Sequence, residues 1–219
     1  MPFHTTDALI LRTYKLGESD RLVVFLTRDR GKKRGVAKNA RQSRRRFGGA
    51  LEPLTHGRVG YMERERRDLV RLDYVEQLRS PLSAVDGEAL GYASYFAELI
   101  DEWAQEADPN ETLFRLGASM VDAIAMGVPI QPLARYFEYW LLRLQGVYAA
   151  DPHLSDEARA FLGEARGLSP FGLGDVTVSD GALRELEASH RALMAMHLEK
   201  DLKSVRVLRE MSGGGHRGR

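Results

Sequence analysis

The chain has 219 residues, 43% of them hydrophobic, and no cysteine, so it can bury a core and is neither collagen-like, wholly disordered nor disulfide-stapled. Without thiols, cysteine nucleophiles, iron–sulfur clusters and cysteine zinc sites are excluded, and the lack of any apolar run of about 18 residues argues against a membrane-spanning helix. The net charge of +1 conceals a division: residues 1–79 hold 19 Lys and Arg against 10 Asp and Glu, and residues 80–219 hold 13 against 21.

The N-terminal MPFHTTDALILRTYKL has no basic leader joined to an apolar core, so a cytoplasmic protein is expected. Residues 8–14 and 21–27 are short aliphatic and β-branched runs on either side of Leu16-Gly17-Glu18-Ser19-Asp20, the pattern of a β-hairpin. Further strands are predicted over residues 32–38, 57–62 and 68–75, with glycines at 31, 35, 48, 49, 57 and 60 for bends and bulges. Five short strands suit a small antiparallel barrel. Residues 28–46 carry ten cations and one acid, Asp29, at a strand-to-loop junction. Clustered cations of this kind bind phosphates by releasing condensed counterions, although a solvated basic face has the same composition. Tyr14, Phe25, Phe47 and Tyr61 are the rings that either stack on bases or fill the barrel.

From Glu88 onward the period changes to that of helices. Apolar positions recur at helical spacing over residues 88–103, 112–126 and 133–147, and more weakly over 155–164 with Ser155 as N-cap. Residues 167–174 read as a loop, residues 180–198 and 203–211 as helix, and 212–219 as a frayed tail. The segment Tyr136, Phe137, Tyr139, Trp140, Leu141, Leu142, Leu144 is apolar nearly all round, which fits a central core helix or, less simply, a partner groove near Arg135 and Leu142. The acids Glu98, Asp101, Glu102, Glu106 and Asp108 read as a solvated helix face, the alternative being a magnesium-dependent nuclease. The six histidines are scattered, and there is neither a G-x-S-x-G elbow nor a P-loop. No catalytic residue and no metal site is expected.

Several stretches together resemble the bacterial recombination-mediator RecO family. They are Ala8-Leu9-Ile10-Leu11-Arg12-Thr13, Gly17-Glu18-Ser19-Asp20-Arg21, Gly31-Lys32-Lys33-Arg34-Gly35-Val36-Ala37-Lys38-Asn39-Ala40-Arg41, Leu51-Glu52-Pro53-Leu54, the run from Arg135 to Gly146, and Leu202-Lys203-Ser204-Val205-Arg206-Val207-Leu208. The resemblance implies an α+β chain: an N-terminal OB-fold barrel over residues 1–79 and an all-α helical domain over 80–219. It implies no enzymatic activity and no cofactor, and a cytoplasmic, nucleoid-associated protein. It further implies binding of single- and double-stranded DNA, annealing of complementary strands and, with RecR, loading of RecA onto DNA coated by single-strand-binding protein.

On this reading Lys32, Lys33, Arg34, Lys38, Arg41, Arg44, Arg45 and Arg46 hold phosphates. Arg135 and Leu142 receive the C-terminal tail of single-strand-binding protein. The chain departs from the family pattern in two places. The four-cysteine zinc motif common after the Gly146 helix is missing, so apolar packing through Leu154, Phe161, Leu162, Leu168 and Phe171 must replace the metal, and Asn39 stands where glycine is frequent. The rival reading from another class is an RNA-binding OB module in translation or ribosome assembly.

Overall fold

The computed structural model describes residues 2–63, 69–83, 87–198, 202–205 and 207–208. Strand β1 (Phe3–Leu16) forms a hairpin with β2 (Asp20–Thr27), β2 pairs with β3 (Gly31–Ala37), and β4 (His56–Met62) pairs with both β1 and β5 (Leu69–Arg79). A parallel pairing of β3 with β5 closes the barrel in the order β1-β2-β3-β5-β4, the expected OB-fold. The predicted strand start at Asp68, the helical residues 206 and 209–211 and the tail 212–219 lie outside the described residues.

The uninterrupted apolar runs in β1 and β2 arise because both faces of these strands are buried. Side chains alternate across a strand, so Ala8, Ile10, Val23 and Phe25 fill the barrel while Leu9, Leu11, Val24 and Leu26 face outward into the core of the helices. Each of the outward four stabilises the fold by roughly 1.5–3 kcal/mol relative to exposure. A bulge between Ile10 and Arg12 places Arg12 opposite Val24, turning its side chain to the same outer face.

Residues 38–55 cross the mouth of the barrel, with Phe47 and Ala50 as its plug. Main-chain bonds tie this crossing to both sides: Leu54 N–H donates to Ile10 O at 2.7 Å and Val75 N–H to Arg46 O at 2.9 Å. The pairing of β3 with β5 begins only at Arg34, and the open start of β3 is taken by residues 105–107 instead. Lys32 N–H donates to Gln105 O and Ala107 N–H donates to Lys32 O. Gly31 (φ 68°) is required here, because a Cβ would lie 2.3 Å from Asp108 N.

The helices are α1 (Gly87–Trp103), α2 (Glu111–Ala125), α3 (Ile130–Leu144), α4 (Asp156–Ala165) and α5 (Asp180–His197). Asn110, Ser155 and Ser179 cap α2, α4 and α5 through their side chains, and the left-handed Gly127 and Gly146 follow the ends of α2 and α3. No described helix is long and apolar enough to cross a membrane.

A cysteine-free segment cannot supply four thiolates, and the residues between α3 and α5 are held by packing and by capping. Leu154, Phe161 and Leu162 are buried as expected, but Phe171 is exposed and Leu173 is buried in its stead. The cause is the 3₁₀ turn Pro170–Asp175, whose three-residue period puts Pro170 and Leu173 on one face. Helices α4 and α5 also cap each other. Glu157 of α4 accepts from Ser179 N–H (2.7 Å) and Oγ–H (2.6 Å), and Glu185 of α5 accepts from Ser155 N–H (2.9 Å).

The hydrogen bonds from Ser179 hold the Glu157 carboxyl below its ordinary range, and the bond from the Ser155 amide does the same for Glu185. A depressed carboxyl stabilises the fold above its ordinary pKa and ceases to do so as the pH falls through its folded value. The melting temperature of wild type should therefore exceed that of Glu157→Gln/Glu185→Gln near neutral pH. The gap should close as the pH falls below about 4.3, the ordinary glutamate value. A gap independent of pH would refute the mutual capping.

Candidate nucleic-acid interface

The eight cations expected to hold phosphates do not share one environment. Lys32 is 9% exposed and faces the helices, its Nζ donating to Asp101 O at 2.6 Å and to Asp101 Oδ1 at 3.1 Å. It joins the barrel to α1, whereas an exposed phosphate-binding position was expected. Lys33 is half-buried and pairs with Glu63 at 2.9 Å. Arg34 pairs with Glu106 at 2.7 Å and Lys38 with Asp20 at 2.6 Å, both cations being exposed at their side chains. The exposed Arg34–Glu106 pair contributes about 0–1 kcal/mol, so a phosphate can displace that acid, whereas Asp20 is held by the Asn39 amide as well.

The remaining four lie in the crossing at the end of β3. Arg46 is half-buried over the Phe47 ring (5.0 Å) and donates to Ser43 Oγ and Lys38 O, which fixes the course of the loop. Arg41 donates from its side chain to Glu18 O and from its backbone to Ser19 O. Arg44 and Arg45 are exposed and have no acidic partner among the described residues. The Arg41 bonds, with Asn39 N–H donating to Asp20 Oδ1 at 2.9 Å, zip this loop onto the β1–β2 turn. Asn39 adopts a left-handed conformation (φ 53°), which asparagine tolerates better than most residues.

The turn brings two further cations that the sequence reading missed. Lys15 and Arg21 are register partners across the hairpin, and neither forms an ion pair among the described residues. Their equal distance from the turn Gly17-Glu18-Ser19 was the available signal. Of the four rings considered for stacking, Phe25, Phe47 and Tyr61 are in the barrel core, where burial pushes the Tyr61 hydroxyl up to about 12. Tyr14 alone is exposed.

The acidic run on α1 is neither a solvated face nor a metal cluster. Arg12 reaches Asp101 Oδ2 at 2.5 Å and Glu102 Oε1 at 2.7 Å, with Glu98 Oε1 at 3.6 Å, and Lys32 takes the other Asp101 oxygen. Burial works against the Arg12 charge, but Asp101 leads the groups that raise its pKa above the ordinary value. Glu98 also accepts from the Lys203 and Ser204 amides and from the Ser204 hydroxyl, binding the C-terminal segment. Among the described residues no group of three or more His, Asp or Glu is placed to hold a metal ion.

Leu142 is an interior residue, 0% exposed, and Arg135, 2% exposed, stands at the floor of a cavity of about 480 Å³ lined also by Tyr92, Gln131, Glu187 and Arg191. The reason is the central position of α3, which packs against α1, α2, α4 and α5 and needs an apolar surface all round. Arg135 pairs with Glu138 (2.9 Å), which also accepts from Tyr95 OH (2.8 Å) and has His190 Nδ1 at 3.1 Å. Burial alone would raise the Glu138 pKa, yet Arg135, His190 and Tyr95 together lower it. Replacing Arg135 by Met should strand this buried carboxylate and cost about 3–5 kcal/mol in urea unfolding. A loss below about 1 kcal/mol would show that the pair is dispensable to the fold.

Comparison with known proteins gives two family matches. The family described as Recombination protein O N terminal matches residues 1–81, and Recombination protein O C terminal matches residues 84–150. Among similar proteins, one from Koribacter versatilis is 47% identical over 64% of this chain and 58% of its own length. One from Anaeromyxobacter sp. (strain K) is 38% identical over 76% of this chain and 65% of its own. One from Geobacter metallireducens is 30% identical over 94% of this chain and 97% of its own. Each bears the name DNA repair protein RecO. In the first two, the match thus spans less than two thirds of the relative.

Proposed function

This chain belongs to the RecO family, and from that membership and its charge distribution we propose that it is a DNA repair and recombination factor that binds nucleic acid at one end of its barrel. The observation that carries the proposal is the group Arg41, Arg44, Arg45, Lys15 and Arg21. Among the described residues these cations have no acidic partner, and they stand on the loop after β3 and the hairpin end that it is locked onto, while other cations of the stretch 28–46 are engaged elsewhere. Phosphates on such a site replace only counterions, so binding is independent of sequence and sensitive to salt.

Annealing needs no bond-making residue on this reading. Cations that neutralise two backbones lower the repulsion between complementary strands, and contacts confined to phosphates leave base edges free to pair. The helical part would serve partners: RecR, the acidic tail of single-strand-binding protein and, through them, RecA. The role is one of binding and strand handling rather than catalysis.

Arg41→Glu/Arg44→Glu/Arg45→Glu should weaken binding to oligonucleotides of any sequence. It should also flatten the plot of log K against log salt by about 0.7–0.9 for each phosphate that the variant no longer neutralises. In parallel, annealing of complementary strands coated with single-strand-binding protein should slow. Unchanged affinity and slope would refute the site. Preference for RNA over matched DNA in competition would place the chain in RNA metabolism instead.

A further inference from the structure

One row of side chains on the outside of the barrel belongs to neither core. The register places Tyr14 opposite Leu22, Leu22 opposite Val36 and Val36 opposite Arg71, so the four share the outer face and cross strands β1, β2, β3 and β5 in a line. The row beside it contains Arg12, Val24, Arg34 and Leu69. There Arg12 and Val24 are engaged with the helices, and Tyr14 hydrogen-bonds to the Arg12 side chain from the next row, whose residues join neither apolar core among the described residues. Tyr14 is 46% exposed, Leu69 is 40% exposed, and Leu22 and Val36 are half-buried without joining either hydrophobic cluster.

Cations border this apolar band on both sides. Arg71 ends the Tyr14 row and Arg34 stands in the row beside it, each paired among the described residues with an exposed acid, Asp73 and Glu106. On the other side Lys38, just past the end of β3, pairs with Asp20, and Arg41 beyond it bonds to the β1–β2 turn. A flat apolar strip with an aromatic ring, edged by cations, is complementary to a chain that offers apolar faces and negative charges in alternation. Unpaired nucleotides have both, whereas a duplex turns its base faces inward and offers only phosphates. Three apolar side chains are too few for the protein–protein interface of about 1,200 Å² or more that stable association requires.

We propose that this band is a base-contacting surface for a single strand, with Tyr14 as its stacking platform, and that duplex engages the neighbouring cations alone. The proposal rests on the nucleic-acid reading above and divides that surface in two. Tyr14→Ala should lower the affinity for oligothymidylate by about 5- to 100-fold and leave the affinity for a duplex of equal length within about twofold, whereas Tyr14→Phe should bind both like wild type. Leu22→Ala should shift the two affinities in the same unequal way. Oligothymidylate carrying iodouracil should photo-crosslink to Tyr14, a readout that needs no variant.

Equal losses on single strand and duplex, no loss on either, or crosslinks only outside the band would overturn the assignment. A wild-type chain that binds neither probe, or a charge-reversed Arg41/Arg44/Arg45 variant that binds both unchanged, would overturn the nucleic-acid reading itself. The two failures are thereby told apart.

Discussion

Strands β1 and β2 have a protein core on each side, and much of the rest of the molecule answers to that constraint. Their inward residues fill a barrel whose mouth is plugged by Phe47 and Ala50. Their outward residues need a cover, which helix α1 and the elements behind it provide. Covering the sheet traps Arg12 and Lys32 in a water-poor contact, where an unpaired cation would cost several kcal/mol. The carboxylates at the end of α1 resolve this, and one of them, Glu98, extends the same network to the C-terminal segment. Apolar burial thus supplies the driving force of this contact, while the ion pairs fix how the barrel and helices meet.

That constraint also explains why counting cations along the sequence overstates the charge presented to a ligand. Ten positive residues occur between positions 28 and 46, but α1 and the stretch after it return acids to Lys32 and Arg34, Glu111 of α2 pairs with Arg28, and Glu63 pairs with Lys33. What remains accessible is set by topology: the loop after β3 and the hairpin turn, which meet at the barrel end away from those acids. The electrostatic division between the two halves of the chain is in part an internal complementarity.

Elements were legible in the sequence wherever one periodicity persisted for a full turn or more. The five strands and helices α1 to α5 fall near their expected positions, and the Ser155 cap is in place, because alternation, helical spacing and capping chemistry are local. The fates of Lys32, Arg135 and Phe171 were illegible for a common reason. Each depends on a partner or a backbone turn distant from the pattern read: Asp101 for Lys32, the encircling helices for Arg135, and a three-residue period for Phe171. Lys15 and Arg21 were accessible to reasoning through hairpin symmetry, whereas the outward turn of Tyr14 depends on the bulge after Ile10, which the apolar run itself does not mark.

The short pairing of residues 105–107 with the start of β3 links the solubility of the barrel to the presence of the helices. Without them, Lys32 would present unpaired main-chain groups beside an apolar wall of Leu9, Leu11, Val24 and Leu26. An open strand edge next to a hydrophobic surface is a template for addition of further strands, the first step of β-aggregation. The helices therefore act as a tethered chaperone for the barrel. During synthesis the barrel emerges first, and its wall stays uncovered until α1 and the stretch that follows have left the ribosome.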